Sequence, residues 1–145
     1  MNVVNVLLVE DNEGDIVLTT EALNQGRIKS NVSIVKDGWE AVLFLDKKEK
    51  YALEKTPDII LLDVNLPKMN GHEVVKYIKT NPALKHIPVI IFTTSASAND
   101  ILESYANHAN CFITKPVDVA EFQAAIASLE HFWISVVQLP NRINN

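Results

Sequence analysis

Four apolar runs of this chain end in residues that can do chemistry. Val3 to Val9 runs into Glu10-Asp11, and Ile59-Ile60-Leu61-Leu62 into Asp63. Val89-Ile90-Ile91-Phe92 runs into Thr93-Thr94-Ser95, and Cys111-Phe112-Ile113 into Thr114-Lys115-Pro116. Each ending is ordinary alone: an acid after a strand is often a helix cap or a loop charge, Lys-Pro a turn, Thr-Thr a strand end. Their conjunction is not ordinary. Three carboxylates brought together repel, and at least one pKa rises unless cations are present. A hard divalent cation and the Lys115 ammonium resolve that repulsion. Mg²⁺ prefers oxygen ligands, keeps several waters and commonly adds a phosphate oxygen. Asp11 and Asp63 would be direct ligands, with Glu10 acting through water. One Asp63 oxygen then remains free to attack a phosphoryl group. Phosphoryl transfer mainly needs positioning and charge neutralisation. Mg²⁺ and Lys115 supply the charge, and Thr93 can hydrogen-bond a phosphate oxygen.

These residues can meet only if the runs are strands of one sheet. A fifth, weaker run spans Val32 to Val35. Near-continuous hydrophobic runs are what strands buried on both faces of a parallel sheet look like. The segments between them read as helices. Ile16, Leu18, Ala22 and Leu23 can form an apolar face. Trp39, Val42, Leu43 and Leu45 recur at helical spacing after the turn signal Asp37-Gly38. Val74, Val75 and Ile78 mark a third helix closed by Asn81-Pro82, and Ile101, Leu102 and Tyr105 a fourth. Ser97 to Asp100 and Asp118 to Glu121 match capping boxes at the starts of the fourth and fifth. The fifth helix is expected to run to about Val137, before Pro140. Five βα units predict a doubly wound α/β domain with sites at the carboxyl ends of its strands.

At 145 residues the chain suits one domain, and 48% apolar residues argue for a packed core. Residues 1–138 are read as that domain and 139–145 as a polar tail, with the end from Gln138 frayed and no output domain following. The net charge of −5 provides no basic footprint for direct nucleic-acid binding. No run reaches the ~20 apolar residues that span a bilayer, and Met1 to Asn5 carries no basic n-region. One cysteine, Cys111, rules out an internal disulfide and fits a reducing compartment, so a cytoplasmic protein is expected. Cys111 reads as a small core residue. His72, His86, His108 and His131 are scattered without metal-ligand spacing and read as surface positions. Lys47-Lys48-Glu49-Lys50 reads as a solvated helix end.

The pattern resembles the receiver domain of two-component response regulators over roughly Asn5 to Val137. The resemblance rests on Glu10-Asp11, the segment from Leu62-Asp63-Val64-Asn65 through Pro67 to Gly71, Thr93, and Phe112-Ile113-Thr114-Lys115-Pro116. It implies a flavodoxin-like receiver fold, a five-stranded parallel sheet in order 2-1-3-4-5. It implies that Asp63 takes phosphate from a sensor histidine kinase. Glu10 and Asp11 would help hold Mg²⁺, the Asn65 backbone carbonyl would be a further ligand, and Lys115 would contact the phosphate. Thr93 and Phe112 would be the switch pair, the ring moving inward behind the hydroxyl. Within the family the chain is most similar to the small regulators paired with bacterial and cyanobacterial phytochromes. The Asn12-Glu13-Gly14-Asp15 stretch, the lengthened region from Lys47 to Pro57, and the end Phe132-Trp133 … Gln138-Leu139-Pro140 carry that likeness.

With no output domain expected, the protein acts by being recognised or by passing phosphate to a downstream protein. The surface implied by the resemblance is the face of helix four, strand five and helix five. In the last helix Phe122, Ile126, Leu129, Trp133 and Val136 form one core-facing stripe. Phe132 widens the apolar surface. A wide buried face and a partner interface both fit this pattern, and phytochrome-type relatives suggest a homodimer with Phe132 and Trp133 in its interface. The aspartate is the protein's own substrate, so it is not an enzyme in the turnover sense. A Mg²⁺-dependent phosphohydrolase would need a second acid two residues after its nucleophile, and that position is Asn65. A phosphate-independent scaffold would not need the intact acidic pair, Asp63 and Lys115. Two positions depart from the family pattern: Glu10 stands for the commoner aspartate, and Thr94 for a smaller residue. A β-branched Thr94 narrows access to the phosphate and is expected to slow its hydrolysis. The aspartyl-phosphate half-life should therefore shorten in Thr94→Ala, and an unchanged half-life would refute this.

Overall fold

The computed structural model describes residues 3–142. The strands β1 (Val4–Val9), β2 (Ser30–Val35), β3 (Ile59–Leu62), β4 (Val89–Thr93) and β5 (Cys111–Thr114) form one parallel sheet in order 2-1-3-4-5. The helices α1 (Glu13–Asn24), α2 (Gly38–Leu45), α3 (Gly71–Lys79), α4 (Ala98–Ala106) and α5 (Val119–Leu129) alternate with them. Successive strand residues point to opposite faces. Leu7, Val9, Ile60 and Leu62 therefore pack with α2 and α3 residues such as Phe44, Val74 and Ile78. Val6, Leu8, Ile59 and Leu61 pack with Ile16 and Leu23 of α1 and Phe122 and Ile126 of α5. Burial on both faces explains why the central strands read as unbroken hydrophobic runs.

The ladder carries the chemically active residues. The register pairs Val9 with Leu62, Leu62 with Ile91, and Thr93 with Thr114. One residue further, Glu10 N donates to Val35 O, Asp63 N to Val9 O and Lys115 N to Thr93 O. Two glycines close the loop behind Asp63. A Cβ on Gly71 would lie 2.4 Å from the Asp63 carbonyl oxygen and 2.5 Å from Val64 Cα, and one on Gly38 would lie 1.9 Å from the Met69 carbonyl oxygen. The Gly71 amide donates to Val64 O at 2.9 Å. The β3–α3 loop is thus held against both helices by backbone that tolerates no side chain.

The helices differ from their sequence pattern in several places. In α2 the buried side chains are Ala41, Phe44 and Leu45, while Trp39 is 56% exposed. In α4 the buried residue is Ser104, and Leu102 and Tyr105 face outward. In the expected boxes at α4 and α5, Ser97 and Asp118 accept from the Asp100 and Glu121 amides. At neither helix is a return bond made, and at α4 the Asp100 carboxylate is taken by Ser95 and His72 instead. The reciprocal box lies instead at α3, between Asn70 and Glu73. The fifth helix is regular only to Leu129. From Glu130 to Val136 it is a π-helix, with Ser135 Oγ donating to Glu130 Oε1 at 2.9 Å. Bonding from i to i+5 widens the turn, so the stripe slips. Ile134 and Glu130 are buried, Trp133 is half-buried, and Val136 is exposed.

The expectation of a frayed end from Gln138 is also wrong for the described residues. Leu139 is buried in the α1–α5 layer, and Asn141 Nδ2 donates to Pro57 O at 3.1 Å. Residues 143–145 lie outside the described residues. Among the described residues no helix is long and apolar enough to cross a membrane.

Gly71→Ala is expected to lower unfolding stability by about 1–3 kcal/mol, through forced overpacking against the Asp63 backbone. Urea denaturation checks it, and an unaltered midpoint would show that the loop can yield.

Candidate functional site

The site forms where four strands end. Lys115 follows β5, and its side chain is 2% exposed. Its ammonium donates to Glu10 Oε1, to Asp63 Oδ2 at 2.9 Å and to Asp15 Oδ2 at 2.9 Å. The cation also lies 5.9 Å from the centre of the Phe92 ring. Burial alone would pull this ammonium down, but the Glu10, Asp15 and Asp63 carboxylates outweigh it and push its pKa up. Burial pushes the Glu10 carboxyl up, against the pull of Lys115.

Asp63 uses both oxygens. Oδ2 meets Lys115, while Oδ1 accepts from the fully buried Thr93 hydroxyl at 2.6 Å and from the Asn65 amide at 2.9 Å. The Asn65 side chain reaches Thr93 Oγ1 at 3.5 Å. The structure therefore brings together Glu10, Asp63, Asn65, Thr93 and Lys115. Asp11 stays at the exposed rim, bonded to no side chain among the described residues. A buried acidic pair with an unpaired exposed carboxylate beside it suits a hard dication, which takes oxygen donors and keeps water.

Phe112 sits in β5, half-buried against the α2–α3 layer. Its amide donates to the Tyr105 hydroxyl of α4 at 3.1 Å, so an α4 side chain caps this edge strand. Thr94 is exposed at the rim. Phe132 and Trp133 lie beyond the regular part of α5. That helix starts at the site edge and runs about 16 Å away from it. Their rings stack edge to face, 5.7 Å apart. Cys111 is half-buried against the α1–α5 layer.

Two features lay outside the sequence reading. Asp15 joins Lys115 from the first turn of α1, where an acid ordinarily reads as a partner for the helix dipole. His72 is also not a plain surface residue. Its Nε2 lies 2.8 Å from Asp100 Oδ1 and 3.9 Å from Glu103 Oε1, tying α3 to α4. Ser95 donates to the other oxygen of Asp100 at 2.5 Å, and the Ser95 and His72 bonds hold the Asp100 carboxyl below the usual carboxylate range. The link from the β4–α4 loop through Ser95 to His72 needs residues distant in sequence, so spacing could not reveal it.

Known proteins share this fold and much of this sequence. Residues 6–127 match the family model described as the response regulator receiver domain. The chain is 41% identical over 135 residues to Response regulator Rcp1 of Synechocystis sp., covering 93% of this chain and 92% of that one. A crystal structure of the phosphorylated cyanobacterial phytochrome response regulator RcpA superposes with a TM-score of 0.93 at 42% identity, covering 96% of this chain and 99% of that one. The Mn²⁺-bound form of Rcp1 superposes at 0.91 with 40% identity, covering 94% and 98%.

Lys115→Met leaves three crowded carboxylates without their cation. Stability near pH 7 is expected to fall by about 3–5 kcal/mol. Glu10 already sits above its ordinary value, and without the pull of Lys115 it rises further. A carboxyl raised on folding takes up its proton in the folded state first, so acid restores more stability to the variant than to the wild type as pH falls. The deficit of the variant should therefore narrow as pH falls from 7 toward 5. Denaturant titration across that range checks it, and a pH-independent deficit would contradict the crowding account.

Proposed function

The chain belongs to the response regulator receiver family, and on that footing we propose that it is a phosphorylation-controlled switch with Asp63 as phosphoacceptor. The observation that carries this reading is the two-sided hold on Asp63, with Lys115 on one oxygen and Thr93 on the other. The donor is a sensor histidine kinase, of the phytochrome type given the relatives. An Asp63 carboxylate oxygen attacks phosphorus and forms the new O–P bond. The P–N bond of the donor phosphohistidine breaks, and its electron pair stays on the imidazole nitrogen, which takes up a proton. Glu10, Asp11, Asp63 and the Asn65 carbonyl would hold Mg²⁺, which supplies charge neutralisation for the transferred group.

The protein's own groups do the rest. Lys115 offers its ammonium to the phosphoryl oxygens. Thr93 exchanges its bond to Asp63 Oδ1 for one to a phosphoryl oxygen, and Phe112 moves inward behind it. Tyr105, which caps the Phe112 amide, feels that motion first. The α4–β5–α5 face carries exposed Leu102, Tyr105, Val117 and Val119 and is the surface the switch remodels. Phosphate on Asp63 then signals through that face or passes to a downstream phosphotransfer protein. Phe132 is exposed and Trp133 half-buried just beyond α5, and these aromatics support a homodimer with both in its interface.

Incubation with a small phosphodonor should add one phosphoryl mass to the wild type, only with Mg²⁺, and none to Asp63→Asn. Many turnovers of donor would indicate a hydrolase, and no uptake a scaffold. In size-exclusion chromatography Phe132→Ala and Trp133→Ala should elute later than wild type. Unchanged elution would remove that interface.

A further inference from the structure

We propose that Asp15 is a positioning residue that holds the Lys115 ammonium in the unphosphorylated protein and gives it up when a phosphoryl group arrives on Asp63. The inference rests on the reading of Asp63 as phosphoacceptor.

A lysine ammonium has three N–H donors. Here all three are taken, by Glu10 Oε1, Asp63 Oδ2 and Asp15 Oδ2. Lys115 can bond a phosphoryl oxygen only by releasing one of them. Asp63 carries the phosphoryl group, so its neighbourhood keeps the cation. Glu10 is almost wholly buried, with its second oxygen accepting from the Asn12 amide at 3.1 Å. Water cannot replace Lys115 on that buried oxygen, so breaking this contact is the costlier choice. Asp15 differs from both. Its side chain is 23% exposed on the first turn of α1, and its carboxylate has no other protein donor among the described residues. Water can replace Lys115 there at little cost.

The Asp15 contact therefore exists on the resting side of the switch and is lost on the phosphorylated side. A contact made only in the resting state opposes phosphorylation. Its removal should favour the phosphorylated state, the reverse of what losing a merely structural ion pair would do. Asp15 thus sets how readily Lys115 is surrendered, and through it how easily Asp63 is charged.

The test uses the full chain with Mg²⁺, in four forms: wild type, Asp15→Asn, Asp15→Glu and Glu13→Gln. Beryllofluoride affinity reports the phosphorylated conformation, and intact mass follows the rate of phosphoryl uptake from a small donor. Asp15→Asn should raise both by about two- to fivefold, the worth of a partly exposed ion pair. Asp15→Glu keeps the charge and should return both to near wild-type values. Glu13→Gln removes a charge from the same helical turn, where Glu13 pairs with Lys36 and not Lys115, and should change neither. An unchanged or slower Asp15→Asn overturns the inference. So does an equal rise in Glu13→Gln, which would mean general repulsion of the phosphoryl charge. A wild type that takes up neither phosphoryl nor beryllofluoride overturns the Asp63 reading and this inference with it. Wild-type uptake with no Asp15→Asn effect overturns the inference alone.

Discussion

One buried ammonium among three carboxylates is the constraint on which the rest of this structure depends. A lysine at 2% side-chain exposure is tolerable only when its charge is fully hydrogen-bonded. Three acids gathered at one edge of a sheet are tolerable only with a cation between them. Each side needs the other, and neither arises from local structure. Glu10 follows β1, Asp63 follows β3 and Lys115 follows β5, so the ion cluster ties the two central strands to the edge strand across their carboxyl ends. The sum is still negative. Exposed Asp11 and the rim position of Asp15 leave net negative charge that a dication or a second use of the lysine can answer.

Precision at Asp63 comes from backbone. Its amide continues the ladder to Val9, and its carbonyl has Gly71 packed against it so closely that a methyl group would collide. Gly38 makes the same close approach to Met69 from α2. The segment between Asp63 and Gly71 is thus a clamp as much as a signature. Beyond that clamp lie Thr93, Phe112 and the loop before α4. There the Ser95–Asp100–His72 link joins the hydroxyl strand to α3, and Tyr105 caps the edge of β5. Rearrangement at Thr93 has short, bonded routes to two helices.

The end of the chain shows how a small change of pitch redirects side chains. An α-helix continued from Leu129 would put Trp133 and Val136 in line with Phe122 and Ile126. The π-helix brings Ile134 into the core instead and leaves Phe132 and Val136 outside. Buried Glu130, held by Ser135, sits where a side chain on Gly26 would collide with it. The small residue at the end of α1 makes room for the wide turn, and the wide turn presents the aromatics.

The sequence by itself determined the parallel sheet and the residues at its strand ends, and the order of the strands came from the family resemblance. Strands buried on both faces must be apolar throughout, so a polar residue marks the point where each leaves the core. That is why Glu10, Asp63, Thr93 and Lys115 were legible, whereas Asn65 and Phe112 came only through the resemblance. Contacts between elements were not legible. Asp15 looked like an acid in a first helical turn until Lys115 arrived from the far end of the chain. His72 looked like a surface histidine until α4 packed beside α3. Trp39 and Val136 followed helical periodicity yet lie outside, because periodicity names a stripe and packing decides its centre. The capping box at α3 and the anchored Leu139 depended on geometry in the same way. Local pattern reports what a residue needs, whereas its partner is set by how strands and helices distant in the chain come to lie side by side.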